Sequence, residues 1–308
     1  MPNLSAFLKH YNIRFKDFKQ TGLEWPDLLR IKADYEAYRN NLELPTHTIV
    51  QALHAVPKIH SIRYRLKQPY HLVEKIIRKR IDEPDKSIDI HNYKDKINDL
   101  IGIRAIHLFK EDWVDIHHFI TQSWTLKQPP VAYYRGGDAD NYKRIFEKYH
   151  CLVKEHPFGY RSVHYLLEIP VKGVKYTAEV QVRTIFEEGW SEIDHSLRYP
   201  YEKGNELLNQ FLVMFNRLAG SADEMGSYVK HLKREMKKRE DEYSTALEAR
   251  SKIIEDLRLK LQEHSPHTAH KFSKALDEIS DLQMLSPASV ERALFDDVMK
   301  KNLSVSED

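Results

Sequence analysis

Two stretches in the middle of the chain, RSVHYLLEIPV (161–171) and KYTAEVQVRT (175–184), place apolar residues at every second position, and that period commits both to strands of a sheet. Val163, Tyr165, Leu167 and Ile169 share one face of the first, and Ala178, Val180 and Val182 share one face of the second. IGIRAIHLF (101–109), rich in β-branched residues, and the short HCLVKE (150–155) read as further strands. Directly after the 175–184 run, Thr184-Ile-Phe-Glu187 has the form of a capping box. It opens a helix, FEEGWSEIDHSLRY, whose apolar stripe is Phe186, Trp190, Ile193 and Leu197.

The flanks follow a helical period. Residues 1 to about 80 read as helical, with Trp25, Leu28, Leu29, Ile31, Tyr35 and Tyr38 on one face. Thr46 is placed to cap a second helix carrying Ile49, Val50, Leu53 and Val56. Pro69 suits the first turn of a third, HLVEKIIRKR, which buries Leu72, Val73, Ile76 and Ile77 and shows Lys75, Arg78, Lys79 and Arg80. Between 109 and 150 lie a helix with Trp113, Ile116, Phe119 and Ile120 and then a loop marked by PP and GGDADN. From 204 to about 263 the chain is helical again. Heptad positions there hold Val229, Leu232, Met236, Tyr243, Ala246, Ile253 and Leu257, but Arg239 and Arg250 interrupt the seam. A solvated helix or an oligomer contact accounts for that charged segment. The last 45 residues, with Pro266 and Pro287, are expected to form two short helices and a frayed tail.

Composition removes several function classes. The 48 basic and 46 acidic residues nearly cancel, which argues against a general nucleic-acid coat or a polybasic membrane anchor. A single cysteine, Cys151, excludes an intramolecular disulfide framework and a cysteine-rich zinc site. The N-terminus lacks a secretory signal, and no window approaches the roughly 18 apolar residues of a membrane span, so a soluble cytoplasmic protein is expected. Neither GxxxxGK[ST] nor GxGxxG occurs, so any phosphate binding would have to come from side chains.

The polar positions then carry the chemistry. Glu179, Gln181 and Arg183 project together from the 175–184 strand. The solvated face of an antiparallel sheet explains this as well as a site does. Asp99 precedes the 101–109 strand and Arg104 projects from it; Asp99 meets Glu179 if the two strands are neighbours. Paired carboxylates repel, and a divalent cation such as Mg²⁺ relieves them. Tyr160, after Gly159, offers a ring for stacking on a base, or is a buried tyrosine after a turn. His164, on a strand face with Ser162 and Leu166, reads as structural. Arg65, Lys67, Lys75, Arg78 and Lys79 suit a polyphosphate, or form a solvated helical face. Neither His117-His118 nor GGDADN has the spacing of a metal site.

Four segments in order, RYRLKQPYHLVEKIIRKR, INDLIGIRAI, FGYRSVHYLLEI and AEVQVRTIFEEGWSEIDHSLRYP, make the sequence resemble the RelA/SpoT synthetase family, the pyrophosphokinases that make guanosine tetra- and pentaphosphate. Its flanking helices resemble those of the small, single-function alarmone synthetases. The resemblance implies an α/β (α+β) fold with a mixed central sheet flanked by helices, nucleotidyltransferase-like, with helical extensions at both ends. It implies a division into residues 1–60, a pyrophosphokinase domain at 61–203, charged helices at 204–265 and a tail at 266–308. It implies ATP:GTP (or GDP) 3′-pyrophosphotransfer, with Asp99 and Glu179 binding Mg²⁺ and Glu179 also acting as general base. Arg65, Lys67, Lys75 and Arg104 would hold ATP, with Lys110 a candidate second cation against adenine. Tyr160, His164, Gln181 and Arg161 would receive the acceptor nucleotide, and Arg183, Glu192, Asp194 and His195 would support the site.

The sequence departs from the family pattern where His156 and Phe158 stand for the frequent lysine and asparagine before Tyr160, and where His71 stands for a frequent serine. Two other acceptors therefore stay open, the 3′ end of tRNA and adenine nucleotides, as does a catalytically silent helical interaction module. The short segment before the motifs shows no paired histidine and aspartate of the family's hydrolase domain. A homo-oligomer is open, and no membrane partner is expected.

Overall fold

The structure is a computed structural model and describes residues 3–138, 140–198, 206–264, 272–278 and 292. The chain divides into two compact units between Ser227 and Tyr228. The first opens with α1 (Leu4–His10), α2 (Phe15–Gln20), α3 (Trp25–Tyr38) and, after a 3-10 turn, α4 (Glu43–His54). Asn3 caps α1, its side-chain oxygen accepting from the Ala6 N–H at 2.8 Å. Thr46 is not a cap. It lies inside α4, where its hydroxyl donates back to the Leu42 carbonyl at 2.6 Å.

The helical run expected to residue 80 is broken by β1 (Ser61–Leu66). SIRYRL alternates apolar Ile62, Tyr64 and Leu66 with Arg63 and Arg65, and six residues pair antiparallel with the next strand. The charge on alternate positions hides a strand period. Then α5 (Pro69–Asp82) starts at the expected proline and buries Leu72, Val73, Ile76 and Ile77. There follow α6 (Tyr93–Lys96), β2 (Ile101–His107), α7 (Trp113–Ser123), β3 (Thr125–Leu126), β4 (Val131–Tyr134), α8 (Asp140–Lys148), β5 (Leu152–Glu155), β6 (Ser162–Val171), β7 (Val174–Thr184), α9 (Ile185–Arg198) and α10 (Glu206–His264). The segment read as a PP and GGDADN loop thus contains β4 and the start of α8.

The strand order is β1-β2-β7-β6-β4-β5, with β3 on β6. The β2/β7 and β4/β5 pairs are parallel and the rest antiparallel, so the sheet is mixed as expected. Lys172 and Gly173, at φ 50° and 79°, make the two-residue turn between β6 and β7.

One sheet face is the core wall. Ile101, Ile103 and Ala105 of β2, Val180 and Val182 of β7, and Tyr165 and Leu167 of β6 pack in one cluster with Leu28 and Tyr35 of α3, Ile49 and Leu53 of α4, Ile76 of α5 and Ile116 of α7. The N-terminal helices thereby share the sheet's own core. Each fully buried Ile or Leu contributes roughly 1.5–3 kcal/mol. Trp113 and His117 both reach the Tyr165 hydroxyl at 3.0 Å, which satisfies that buried group. Burial pulls the His117 pKa down to about 4.

The capping box is present: Glu187 accepts from the Thr184 N–H at 2.8 Å, and the Thr184 hydroxyl accepts from the Glu187 N–H at 3.1 Å. The expected apolar stripe of α9 is not. Trp190 is buried, its indole donating to the Leu212 carbonyl at 3.1 Å, whereas Phe186, Ile193 and Leu197 are 43%, 41% and 46% exposed. The α9 positions that meet the sheet are Glu188 and Glu192, which pair with strand arginines, so the contact is ionic.

In the second unit, the rest of α10 carries the expected heptad positions Val229, Leu232, Met236, Ile253 and Leu257 exposed. Residues 272–278 and 292 are helical; the rest of the expected tail lies outside the described residues. Among the described residues, no helix is long and apolar enough to cross a membrane.

Candidate active site

The register of the sheet assembles its second face. Glu179 of β7 lies opposite Gly102 of β2, and Gln181 opposite Arg104. On the other side of β7, Gln181 faces His164 and Glu179 faces Leu166 of β6. Arg65 and Arg63 of β1 pair with Gly102 and Arg104. Because side chains alternate, Arg63, Arg65, Arg104, His164, Glu179, Gln181 and Arg183 share the face opposite the core.

Asp99 stands just before β2. Its Oδ2 takes Lys67 Nζ at 2.8 Å and Lys75 Nζ at 2.7 Å. Its Oδ1 is buried and has no hydrogen-bond partner among the described residues. Burial works to raise this carboxyl, but the two ammonium groups outweigh it and set its pKa at about 2. Burial also lowers Lys67, against the pull of Asp99. The Tyr35 hydroxyl donates to the Lys67 carbonyl at 2.9 Å and ties the end of β1 to α3.

Glu179 is held by its neighbours. Oε1 lies 3.2 Å from His164 Nδ1, and Oε2 accepts from Gln181 Nε2 at 3.1 Å. The Tyr160 hydroxyl lies 2.9 Å from His164 Nε2 and 3.4 Å from Gln181 Oε1. A proton on Nδ1 makes His164 a donor to Glu179 and an acceptor from Tyr160. Burial opposes ionisation of Glu179, yet the His164 hydrogen bond outweighs it and holds the carboxyl below its usual range. Burial keeps the Tyr160 phenol protonated.

The turn before Tyr160 needs its glycine. Gly159 has φ +75°, and a Cβ there would meet Arg135 Cγ at 2.9 Å. Asn216 of α10 donates to the Gly159 carbonyl at 2.9 Å. Rings gather around Tyr160: His156 at 5.3 Å, His164 at 5.7 Å and Tyr133 at 6.1 Å between centroids. The Arg183 guanidinium lies 5.4 Å from the Tyr160 ring centroid.

Three clefts meet at the carboxylates. One of about 230 Å³ is lined by Arg63, Arg65, Asp99, Arg104, Glu179 and Gln181. One of about 330 Å³ holds Arg65, Lys67, Lys75, Arg78 and Lys79 beside Asp99. The third, about 170 Å³, puts Tyr133 and His164 beside Asp99, Lys75 and Glu179. Asp99 lines all three and Glu179 two of them. A further cavity of about 330 Å³, walled by Trp113, Phe146, Val163 and Val182, contains neither carboxylate.

Not every expected residue reaches the clefts. Arg161 turns into that apolar cavity, bound to Asp138 through two bonds of 2.7 Å and to Asn216 at 2.9 Å. Lys110 lines the same cavity and pairs with Glu224 at 3.8 Å. Asp194 lines none of the three clefts, whereas Glu192 and His195 line the first. Arg104 faces the cleft but is paired with Glu188 at 3.1 Å and with Glu192. Sequence reasoning missed Tyr133, Arg63 and Glu188. The strand period of SIRYRL was a signal for Arg63; the others follow from β4 pairing and from how α9 docks.

Among the described residues, no group of three or more His, Cys, Asp or Glu could hold a metal ion by itself. Two ionised carboxylates beside a cationic cleft can instead share a divalent cation with a bound polyphosphate.

A family model described as a region found in RelA / SpoT proteins matches residues 64–204. A curated relative, GTP pyrophosphokinase YwaC of Bacillus subtilis (strain 168), is 27% identical over 151 residues, covering 48% of this chain and 61% of the relative. Small alarmone synthetase 1 from Bacillus subtilis, a solved structure, aligns at 22% identity and a TM-score of 0.47 over 67% of this chain and 97% of its own. A GTP pyrophosphokinase family protein from Streptococcus pneumoniae aligns at 20% identity and 0.45 over 69% and 96%.

Proposed function

We propose that the protein transfers the pyrophosphate of ATP to the 3′-hydroxyl of GTP or GDP; the match of residues 64–204 to a region found in RelA / SpoT proteins supports this reading. The observation that carries the reading is the β2–β7 register, which brings Asp99 and Glu179 together on the arginine-lined and aromatic clefts, with Asp99 also lining the lysine-rich one. The curated relative's name, GTP pyrophosphokinase, supports the same reaction.

The residues fit Mg²⁺. The buried, unpartnered Oδ1 of Asp99 and the ionised Glu179 are hard oxygen donors. Mg²⁺ takes one or two such carboxylates and completes its shell with phosphate oxygens and water. When bound, it would draw off negative charge from the transferring phosphates.

The chain's own groups do the rest. Arg65, Lys67 and Lys75 line the cleft that receives the ATP phosphates and neutralise charge there. Tyr160 stacks on the acceptor base, with Arg183 beside its ring. The acceptor 3′-oxygen attacks the β-phosphorus, the bond from that phosphorus to the α–β bridging oxygen breaks, and AMP leaves with the electron pair. The hydroxyl proton passes to Glu179. A carboxylate held below its usual pKa is a weak base, so it takes the proton late, after the new bond has begun to form.

A second reading keeps the reaction and changes the acceptor. His156, 5.3 Å from the Tyr160 ring, adds a stacking surface where a lysine would meet phosphate. That favours an acceptor gripped through its base, such as the 3′ end of tRNA or an adenine nucleotide.

One experiment tests both. Purified protein, Mg²⁺ and ATP labelled in its β- and γ-phosphates are incubated with GDP, GTP, AMP, ADP or deacylated tRNA in parallel. Label in guanosine nucleotides is the expected result; label confined to tRNA or adenine nucleotides selects the second reading. No labelled acceptor refutes both and leaves the interaction module. Glu179→Gln should reduce transfer at least 100-fold with the melting curve unchanged. Undiminished turnover removes Glu179 from the mechanism.

A further inference from the structure

Glu188 is a buried carboxylate that lines none of the three clefts, yet it touches two arginines that line the first of them, Arg63 and Arg104, and the Arg183 beside Tyr160. It lies in the first turn of α9, one turn before Glu192. Its Oε1 is 3.1 Å from Arg104 Nη1 and 3.4 Å from Arg63 Nη1, and its Oε2 is 2.9 Å from Arg183 Nε. Arg63 and Arg104 line the cleft beside Asp99. Arg183 belongs to the other side: it donates to Gln181 Oε1 at 3.1 Å and lies against the Tyr160 ring. Gln181 in turn donates to Glu179.

Glu192 makes an instructive contrast. It pairs with Arg104 and, at 3.5 Å, with Arg63. Its side chain is 40% exposed, against 8% for Glu188. Arg104 therefore has two carboxylates. Arg183, at 1% exposure, has its one ion pair among the described residues with Glu188.

From this geometry we infer that Glu188 is a positioning residue that sets the donor-side arginine and the acceptor platform together, by bridging Arg104 to Arg183 and through Arg183 to Tyr160 and Gln181. The inference rests on the proposed assignment of the two sides to ATP and acceptor. Its physical basis is that a buried guanidinium keeps its place when its charge is matched at fixed distance. The capping box fixes the start of α9, and the first turn of that helix carries the carboxylate to both arginines. Loss of the Glu188 charge takes from Arg183 the ion pair it has among the described residues, leaving it the Gln181 hydrogen bond and the Tyr160 ring, whereas Arg104 keeps an ion pair with Glu192.

The test is an initial-rate comparison of wild type, Glu188→Gln, Glu188→Asp and Glu192→Gln, varying ATP and the active acceptor separately. Glu188→Gln should raise the acceptor KM at least tenfold and the ATP KM severalfold. Glu192→Gln should raise the ATP KM alone. Glu188→Asp, which keeps the charge, should restore the acceptor KM to within about threefold. An unchanged acceptor KM in Glu188→Gln overturns the inference, and so does an equal effect from Glu192→Gln. Should Glu188→Gln fail to fold by circular dichroism, Arg183→Lys breaks the same link from its other end. It should raise the acceptor KM and leave the ATP KM alone, and an equal rise in both overturns the coupling. A wild-type protein that labels no acceptor refutes the proposed function, and the inference with it; an active wild type with the wrong variant pattern refutes the inference alone.

Discussion

Asp99→Asn tests the electrostatic centre of the site by its effect on stability. Asp99 holds two lysines at 2.8 and 2.7 Å, and its side chain and that of Lys67 are 14% and 10% exposed. Its pKa falls from 3.8 in the unfolded chain to about 2. At 1.36 kcal/mol per pH unit, that interval corresponds to roughly 2.5 kcal/mol of stability at neutral pH. The sign follows from the depression. The folded state favours the ionised carboxylate, so its contribution is full above the unfolded pKa and is lost as pH falls through about 2. Asparagine removes the charge and leaves Lys67 and Lys75 facing each other, although Lys67, already lowered by burial, can shed its proton to limit the cost. The expected deficit is therefore about 2–3 kcal/mol at pH 7, shrinking toward zero near pH 2. All four tryptophans lie before Ser227, so urea unfolding followed by tryptophan fluorescence reports the unit that contains the site. A deficit below about 0.5 kcal/mol at pH 7, the range of ordinary surface changes, refutes the reasoning. So does a deficit that is the same at pH 7 and pH 2.5.

Two further outcomes follow from the same packing. Gly159→Ala forces a side chain onto φ +75° and against Arg135, at a cost of roughly 1–3 kcal/mol, which calorimetry should read as a lower Tm by about 2–4 °C per kcal/mol. An unchanged Tm would mean that the turn relaxes freely. Asp223, buried and beside Glu187, has its pKa raised to about 7, chiefly by burial and then by that neighbouring charge, so the folded state holds its proton more tightly than the unfolded chain does. Stability contributed by this proton is present below pH 4 and lost as pH rises through about 7. Asp223→Asn should flatten the fall in Tm between pH 5 and 8, and an unaltered slope counts against Asp223 as its source.

Much of the architecture was written in local period. The runs at 161–171 and 175–184, the Pro69 helix and the Thr184–Glu187 capping box appear in the structure within a residue or so of their expected places, because each depends on neighbours three or four positions away or on simple alternation. What failed had mixed signals. SIRYRL hid a strand behind two arginines, and VAYY followed two prolines that suggested a loop. The α9 stripe failed for a different reason. Apolar spacing identified a helix but not the face that docks, and arginines on the sheet pair with Glu188, which is buried, and with Glu192, while Phe186 and Ile193 stay exposed.

The sequence by itself determined which residue types share a strand face, that any phosphate binding would have to come from side chains, and that Asp99, Tyr160 and Glu179 lie at strand ends or on one face. It could not say whether that face met water or a ligand, since alternation is the same in both cases. Tertiary structure adds that the face is recessed into clefts. Asp99 and Glu179 are eighty residues apart in the chain, and the parallel pairing of β2 with β7, a long-range choice of strand order, brings them to one cleft. The same long-range packing turned Arg161 away to Asp138 and made one buried carboxylate on α9 the common partner of arginines from three strands. Charge pairing across elements depends on distances that no local period encodes.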